Sequence, residues 1–327
     1  MAKKVLIILF FIATIFSGCN KSGSHLATPE NESNISSDTK TIKIAYIPIT
    51  HALPLYIENE LVSKNPSHFK IELVKFGSWA ELTEALNAGQ VDGASMLIEL
   101  AVKAKEQGID IKAVALGHRD GNVVVVSNDI NSVEDLKGKN FAIPSKLSTH
   151  NILLYIMLKN KGLSYSDVNI VELPPPEMPA ALAEGRISGY CVAEPFGAQA
   201  VAAGKGKILF ESHELWEGSL CCGLVLRNDF IKNNPALTEE FIKEYVNSGM
   251  KAELKDEEVK EISSKYLKAE SEVLDLSLEW ILYENLRLEE AEYEELINYM
   301  VETGLSENPP QYSEFVDNSF IDRVNQQ

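Results

Sequence analysis

Positive charge is scarce in this chain of 327 residues. It has 30 lysines and arginines against 48 aspartates and glutamates, which gives a formal net charge of −18. Nucleic-acid-binding proteins usually present a basic surface, so nucleic acid is a poor candidate partner. Net charge does not exclude a small anionic ligand, because local amides and one or two cations decide such a site.

Cysteine is also rare, with four in the whole sequence. Cys191, Cys221 and Cys222 lie in the body of the chain, and their spacing matches no zinc pattern. We therefore expect small buried side chains, with a disulfide at Cys191 left open, and we expect no metal site and no cofactor.

Long apolar runs are absent except at the start. Lys3 and Lys4 precede an apolar run over residues 5–16, which is shorter than the roughly 20 residues of a membrane span. The small residues Ser17 and Gly18 then stand directly before Cys19, which resembles a bacterial lipobox. This pattern predicts a signal peptide over residues 1–18, a lipid on Cys19 and a flexible polar tether over residues 19–40. A plain signal peptide with an incidental cysteine remains the alternative.

The body of the chain alternates predicted strands and helices, which favours an α/β fold with covered parallel sheets. The sequence around Gly89 and Gly93 recurs around Gly185 and Gly189: a helix end, a capping glycine, a polar residue and a β-branched strand start. The repetition predicts two similar lobes, although two ordinary helix-to-strand turns would match as well. We assign residues 41–122 with 228–327 to lobe 1 and residues 123–227 to lobe 2. Apolar stripes beyond residue 236 predict a helical C-terminal region, one of them running through Leu274 and Leu278 to Ile281 and Leu282.

The stretch over residues 145–196 carries the most specific features. Ser148 is a good helix N-cap, and the free amides that follow it, with Thr149 and His150, form a natural small-anion site. Residues 187–193 predict a buried strand that ends at Glu194. Because open α/β sheets bind ligands beyond the ends of their parallel strands, both ends of the stretch are expected to face one cleft.

These motifs resemble those of substrate-binding proteins of ABC importers, in particular the nitrate, sulfonate, taurine and bicarbonate family, which is related to the pyrimidine-precursor binders. The resemblance rests on residues 148–151, 174–178 and 190–196, and on Trp79 with its two preceding residues. It implies a type II periplasmic-binding fold, with crossings between the lobes near residues 121–127 and 224–228 and a hinge that closes on the ligand. It also implies a monomer on the extracytoplasmic face of the cell membrane, with an ABC permease and an ATPase as partners.

The chain departs from this family at residues 219–222, where nitrate binders carry a lysine. Arg119 is a candidate replacement. We expect the ligand to be a small anion of the nitrate, sulfonate, taurine or bicarbonate kind, with a neutral heterocycle such as a pyrimidine precursor as the alternative. The candidate ligand-binding residues, partly implied by the resemblance, are Thr50, His51, Trp79, Met96, His118, Arg119, Ser148, Thr149, His150, Glu194 and Cys221.

Two other functional classes share features with this sequence. Pyrimidine synthases share the fold and use a histidine, so His51 or His150 could be catalytic, but the cysteine-rich metal motif of those enzymes is absent. Cys191 lies among apolar neighbours that disfavour its thiolate. A regulator's sensing domain would follow a DNA-binding helix pair, which is also absent. We therefore expect a binding protein and not an enzyme.

Overall fold

The computed structural model describes residues 39–65 and 68–324, so the predicted signal peptide, Cys19 and most of the tether lie outside the described residues. The described part contains twelve strands: β1 (Lys40–Tyr46), β2 (Phe69–Lys75), β3 (Gly93–Leu97), β4 (Ile111–Leu116), β5 (Arg119–Asp120), β6 (Asn122–Val126), β7 (Asn140–Ile143), β8 (Asn169–Glu172), β9 (Gly189–Ala193), β10 (Lys207–Glu211), β11 (Cys222–Arg227) and β12 (Ile281–Leu282).

Helices cover both main sheets. They are α1 (Leu53–Lys64), α2 (Trp79–Asn87), α3 (Ile98–Glu106), α4 (Thr149–Lys159), α5 (Met178–Ala183), α6 (Phe196–Ala202), α7 (Ser212–Leu215), α8 (Asn228–Asn233), α9 (Pro235–Glu253), α10 (Glu257–Leu267), α11 (Ser271–Glu279), α12 (Glu290–Glu302), α13 (Tyr312–Phe315) and α14 (Ser319–Val324). Short 3-10 turns occur at Thr50–Ala52, Val133–Leu136, Tyr165–Asp167 and Pro175–Glu177. Among the described residues, no helix is long and apolar enough to cross a membrane.

The two five-stranded sheets repeat one arrangement. The first sheet has the order β2-β1-β3-β11-β4, and the second, written in the same sense, has the order β8-β7-β9-β6-β10. In each sheet the first three strands are parallel and the last two run antiparallel to their neighbours. Both central strands, β3 and β9, are buried along their whole length, as expected for strands covered on two faces. The predicted α/β architecture with two lobes is confirmed.

The repeated glycine turns have the same conformation in both lobes. Gly89 and Gly185 follow α2 and α5 with φ of 69° and 70°, a left-handed conformation that glycine adopts without steric cost. Four residues later, Gly93 and Gly189 begin the central strands. The helix caps also agree with the sequence, since the hydroxyl of Ser148 accepts a hydrogen bond from the Asn151 amide.

The boundary between the lobes differs from the prediction. Strand β11, Cys222–Arg227, pairs with β3 and β4 in the first sheet and not with the second sheet. The chain therefore returns to the first lobe between α7 and β11, some residues before the predicted return at residues 224–228. It leaves the first lobe between β4 and β6. We call these two connections, residues 117–121 and 216–221, the crossovers.

The helical C-terminal region is confirmed, with one exception. Ile281 and Leu282 form the strand β12, which pairs with Asp120 and Arg119 of β5, whereas the apolar periodicity had predicted a helix there. A strand partner supplied by the first crossover overrides the local pattern. Arg119 is held in the same region: its guanidinium forms an ion pair with Glu292 at 2.6 Å and donates to the carbonyl of Asn285.

Candidate functional site

The candidate site lies where the two lobes meet the crossovers. Thr50 and His51 follow β1, and Glu99 follows β3, so all three stand at the carboxyl edge of the first sheet. Thr149 and Glu194 stand at the matching edge of the second sheet, after β7 and β9. Ligands of open α/β sheets bind at these edges.

Two sets of hydrogen bonds join the lobes here. The backbone amide and the hydroxyl of Thr50 both donate to the carbonyl of Glu194, at 2.9 and 3.2 Å. The hydroxyl of Thr149 lies 2.6 Å from the carbonyl oxygen of Leu220 and 2.5 Å from Oε1 of Glu99. The described lobes are thus in contact, and the cleft between them is closed at its base.

Glu99 is protonated in this arrangement. The Thr149 hydroxyl has one hydrogen, and the Leu220 carbonyl can only accept, so the hydroxyl donates to Leu220 and the carboxyl group of Glu99 donates to the hydroxyl. The pKa of Glu99 agrees, because burial, with a smaller contribution from Cys221, raises it to about 8.

A cluster of two histidines and two cysteines lies beside Glu99. One ligand atom each from His51, His118, Cys221 and Cys222 falls within 4.8 Å of all the others, and all four side chains are fully buried. The imidazole rings of His51 and His118 have their centroids 3.6 Å apart and their planes tilted by 33°. The Sγ atom of Cys221 lies 3.6 Å from His51 Nδ1 and 3.8 Å from Sγ of Cys222. We call these four residues the His–Cys cluster.

His150 differs from the histidines of the cluster. It is 1% exposed, and neither of its ring nitrogens has a hydrogen-bond partner in the described structure. Burial lowers the pKa of His150 to about 4, only partly offset by Cys221, so the ring is neutral at pH 7. An unpaired buried polar group is costly, and two on one ring indicate a place for a ligand.

Further unpaired polar atoms lie close by. Glu99 Oε2 and Asn122 Nδ2 are buried without partners, and Asn122 approaches the Sγ of Cys221 through its other atom, Oδ1, at 3.7 Å. The indole Nε1 of Trp79 is likewise buried and unpaired. Trp79 lines an open cavity of about 240 Å³ between the lobes, formed by Ser78, Trp79, Ala80, Leu100, Pro144, Ser145, Glu172, Leu173, Pro174 and Pro175. This cavity is the mouth of the cleft.

Residues 36–267 match the sequence profile of the NMT1-like family, which is more than half of the chain. The chain belongs to the NMT1-like family. Among solved structures, it is similar to the ligand-binding component of an ABC-type import system from Staphylococcus aureus with zinc bound. The two are 38% identical, with a TM-score of 0.84, over 88% of this chain and 100% of the other.

Curated relatives of this NMT1-like chain include transport proteins. It is 32% identical to the taurine-binding periplasmic protein of Escherichia coli, over 53% of this chain and 55% of that protein. It is 26% identical to the nitrate import ATP-binding protein NrtC of Synechocystis sp., over 62% of this chain and 33% of that protein. The chain thus spans about half or less of the length of these two relatives. The predicted resemblance to import binding proteins is confirmed at the level of the family.

The structure places most of the predicted site residues of the NMT1-like chain at the cleft. Thr50, His51, His118, Thr149 and Cys221 meet at its base, with His150 close to them. The others have separate positions: Trp79 lines the mouth, Ser148 caps α4, and Met96 is buried within β3.

Two predicted residues have other roles. The carboxyl group of Glu194 is hydrogen-bonded to the Ala198 amide and the Ser277 hydroxyl, so it ties α6 to α11, and only its backbone carbonyl reaches Thr50. The donors of Arg119 are taken up by Glu292 and by backbone carbonyls, so its guanidinium does not replace the lysine of the nitrate binders.

The prediction of buried cysteines is confirmed, and the structure adds one feature to it. All three described cysteines are free thiols and are buried, as expected, but Cys221 and Cys222 lie with His51 and His118 in a set of potential metal ligands. Spacing along the chain could not reveal this set, because its members come from three distant segments. Glu99, Asn122 and Cys222 were missed altogether. The repeat around Gly93 and Gly189 could have indicated Glu99, since it aligns the end of β3 with the end of β9, where Glu194 was identified.

Proposed function

We propose that this protein is an extracytoplasmic solute-binding lipoprotein, anchored through Cys19, that captures a small ligand between its lobes and passes it to an ABC permease and its ATPase. The family and the two-lobed fold support binding and delivery. The observation that carries the ligand site is the group of buried polar atoms without partners on His150, Glu99 and Asn122. A bound ligand would satisfy them.

The side chains that line the proposed ligand site favour a ligand that carries no net charge when bound. Within residues 39–65 and 68–324, no lysine or arginine is among the buried residues. His150 is neutral and Glu99 is protonated at pH 7, so these two side chains offer hydrogen bonds without a fixed charge. A small polar heterocycle, such as a pyrimidine precursor, fits this lining without desolvating an unpaired charge.

A small anion is the second candidate. The names of the nitrate and taurine relatives favour it, and the α4 N-terminus supplies a favourable dipole beside His150. Because the site lacks a buried cation, an anion would enter together with a proton that converts His150 to imidazolium. Its affinity would then rise as the pH falls towards the pKa of His150, whereas the affinity of a neutral heterocycle would not.

Calorimetric titration separates these candidates. The full mature protein is titrated with nitrate, bicarbonate, taurine, an alkanesulfonate and a hydroxymethylpyrimidine at pH 7.5 and pH 5.5, in two buffers of different ionisation heat. A neutral ligand gives equal apparent heats in both buffers. An anion that takes up one proton gives heats that differ by the difference between the ionisation heats of the two buffers. If no compound of the panel binds, and native mass spectrometry of the freshly isolated protein detects no small molecule, the proposed capture is wrong.

His150→Ala tests the site itself. Losing a buried hydrogen bond costs about 1.5–3 kcal/mol for a charged partner and about 0.5–1.5 kcal/mol for a neutral one. The affinity should therefore fall about ten- to hundredfold for an anion and about two- to tenfold for a neutral heterocycle. His213→Ala is the matched control, because His213 is half exposed and pairs with Glu211 at the surface. A folded His150→Ala variant with the affinity of the control would exclude His150 from the site.

A further inference from the structure

We propose that the His–Cys cluster, His51, His118, Cys221 and Cys222, binds one soft transition-metal ion of the zinc class at the base of the cleft. The cluster lies beside the group of unpaired atoms that carries the proposed solute site and shares no side chain with it. The proposal is therefore independent of which solute is captured.

The distances within the cluster match the edges of a tetrahedral site. Zinc bonds of about 2.3 Å to sulfur and about 2.0–2.1 Å to nitrogen give tetrahedral edges of about 3.8 Å between two sulfurs and about 3.6 Å between sulfur and nitrogen. The observed separations are 3.8 Å for Cys221 Sγ to Cys222 Sγ and 3.6 Å for Cys221 Sγ to His51 Nδ1. The four ligand atoms all lie within 4.8 Å of one another, so an ion could bind with small side-chain adjustments.

The hydrogen bond of His51 leaves the required lone pair in place. His51 Nε2 lies 3.1 Å from the carbonyl oxygen of Gly121, and a carbonyl can only accept, so Nε2 carries the hydrogen. In the neutral ring, Nδ1 is then unprotonated and faces Cys221. A metal-bound histidine commonly donates its other N–H to a carbonyl in this way, which fixes both its tautomer and its orientation.

The donor set and its surroundings select the kind of ion. Two thiolates and two imidazoles suit zinc and other soft or borderline ions, whereas magnesium and calcium prefer oxygen ligands. The complex of two thiolates with a divalent ion has no net charge. That neutrality suits a fully buried position where no lysine or arginine is buried among the described residues.

The ligands come from separate parts of the chain. His51 precedes α1 of the first lobe, His118 lies in the first crossover, Cys221 ends the second crossover, and Cys222 begins β11. A bound ion would therefore join both crossovers to the first lobe. Because it would bind the folded chain and not the unfolded one, it should raise the unfolding temperature in proportion to the logarithm of its concentration.

The test uses the full mature protein, reduced and stripped with a chelator, and Zn²⁺ or Co²⁺ alone as the probe. We expect one equivalent of Zn²⁺ after gel filtration and a thiolate-to-cobalt charge-transfer band with Co²⁺. Cys221→Ser and Cys222→Ser should each weaken binding at least hundredfold. Cys191→Ser is the matched control, since Cys191 is equally buried but lies in β9 outside the cluster, and it should bind as the wild type does.

Several outcomes would overturn the proposal. One is a folded, reduced wild-type protein that binds no equivalent of Zn²⁺. Another is a cobalt complex without a thiolate-to-cobalt band. This measurement uses the wild-type protein, so it does not depend on whether the serine variants fold. A third is folded Cys221→Ser and Cys222→Ser variants that match Cys191→Ser. Solute binding is titrated separately, with the metal-free protein. Failure of the metal site and failure of solute capture therefore remain distinguishable.

Discussion

The two lobes share one strand order, yet their corresponding Thr-His pairs have different surroundings. Thr50 and His51 precede the helix after β1, and Thr149 and His150 open the helix after β7. His51 contacts Gly121 and Cys221, both in the crossovers, so both of its nitrogens are engaged. His150 has no partner on either nitrogen.

This difference shows how a repeated fold acquires one site. The repeat places a threonine and a histidine at equivalent sheet edges, but the crossovers occur once and approach the two lobes with different residues. The first lobe receives the thiol of Cys221, while the second receives the carbonyl of Leu220 through Thr149. We infer that His51 is held in place at the base of the cleft and that His150 is available to bind the ligand.

The largest expected difference between the lobes concerns their central glycines. A Cβ at position 93 would lie 2.7 Å from the backbone oxygen of Val225 and collide with the Leu226 side chain, whereas one at position 189 would meet only side chains, at 3.0 Å and beyond. Gly93→Ala should lower the free energy of unfolding by about 3 kcal/mol and Gly189→Ala by about 1 kcal/mol, because overpacking against backbone cannot relax. Urea unfolding of the ligand-free protein measures both, and equal losses would show that the two lobes tolerate strain alike.

The next effect concerns the buried acid of the second lobe. Burial raises the pKa of Glu194 to about 8, so between its ordinary pKa and about 8 the folded chain holds a proton that the unfolded chain has lost. Stability therefore falls as the pH rises through this window. Removing the acid with Glu194→Gln should reduce the loss of stability between pH 6.5 and 8.5 by about 2 kcal/mol.

Urea unfolding at both pH values, in the presence of a chelator, gives this difference. The control is Glu177→Gln, since Glu177 is exposed and should leave the wild-type pH dependence unchanged. A Glu194→Gln variant with the same pH dependence as the control would contradict a protonated Glu194.

The smallest effect compares the two threonines that join the lobes. Thr149→Val removes the hydroxyl between Glu99 and Leu220 and should cost about 1.5 kcal/mol, because two buried groups lose their partner. Thr50→Val should cost only about 0.5 kcal/mol, because the Thr50 amide still donates to the Glu194 carbonyl. The free energies of unfolding of the two variants measure this difference. Small-angle scattering should also show a larger radius of gyration for ligand-free Thr149→Val. If Thr50→Val loses as much unfolding free energy as Thr149→Val, then Thr149 is not the stronger link between the lobes.

The sequence by itself determined the features that depend on near neighbours. Ser148 caps α4 because its hydroxyl and the Asn151 amide are three residues apart, and Gly89 and Gly185 end helices because only glycine adopts their conformation freely. Strand–helix alternation was sufficient for the α/β class, and the repeated turn was sufficient for two similar lobes. Family motifs predicted the position of the cleft for the same reason, since they lie at the ends of the strands.

Only the tertiary structure decided which of these residues meet and in what charge state. Cys221 and His51 are separated by 170 positions, and nothing in either local sequence indicates that a crossover brings them to 3.6 Å. Ile281 and Leu282 follow a helical periodicity but form a strand, because the first crossover offers unpaired backbone groups. Glu99 and His150 appear as ordinary polar residues until burial removes their water. Burial and partners are properties of the packed chain, and they turn a set of scattered residues into a site.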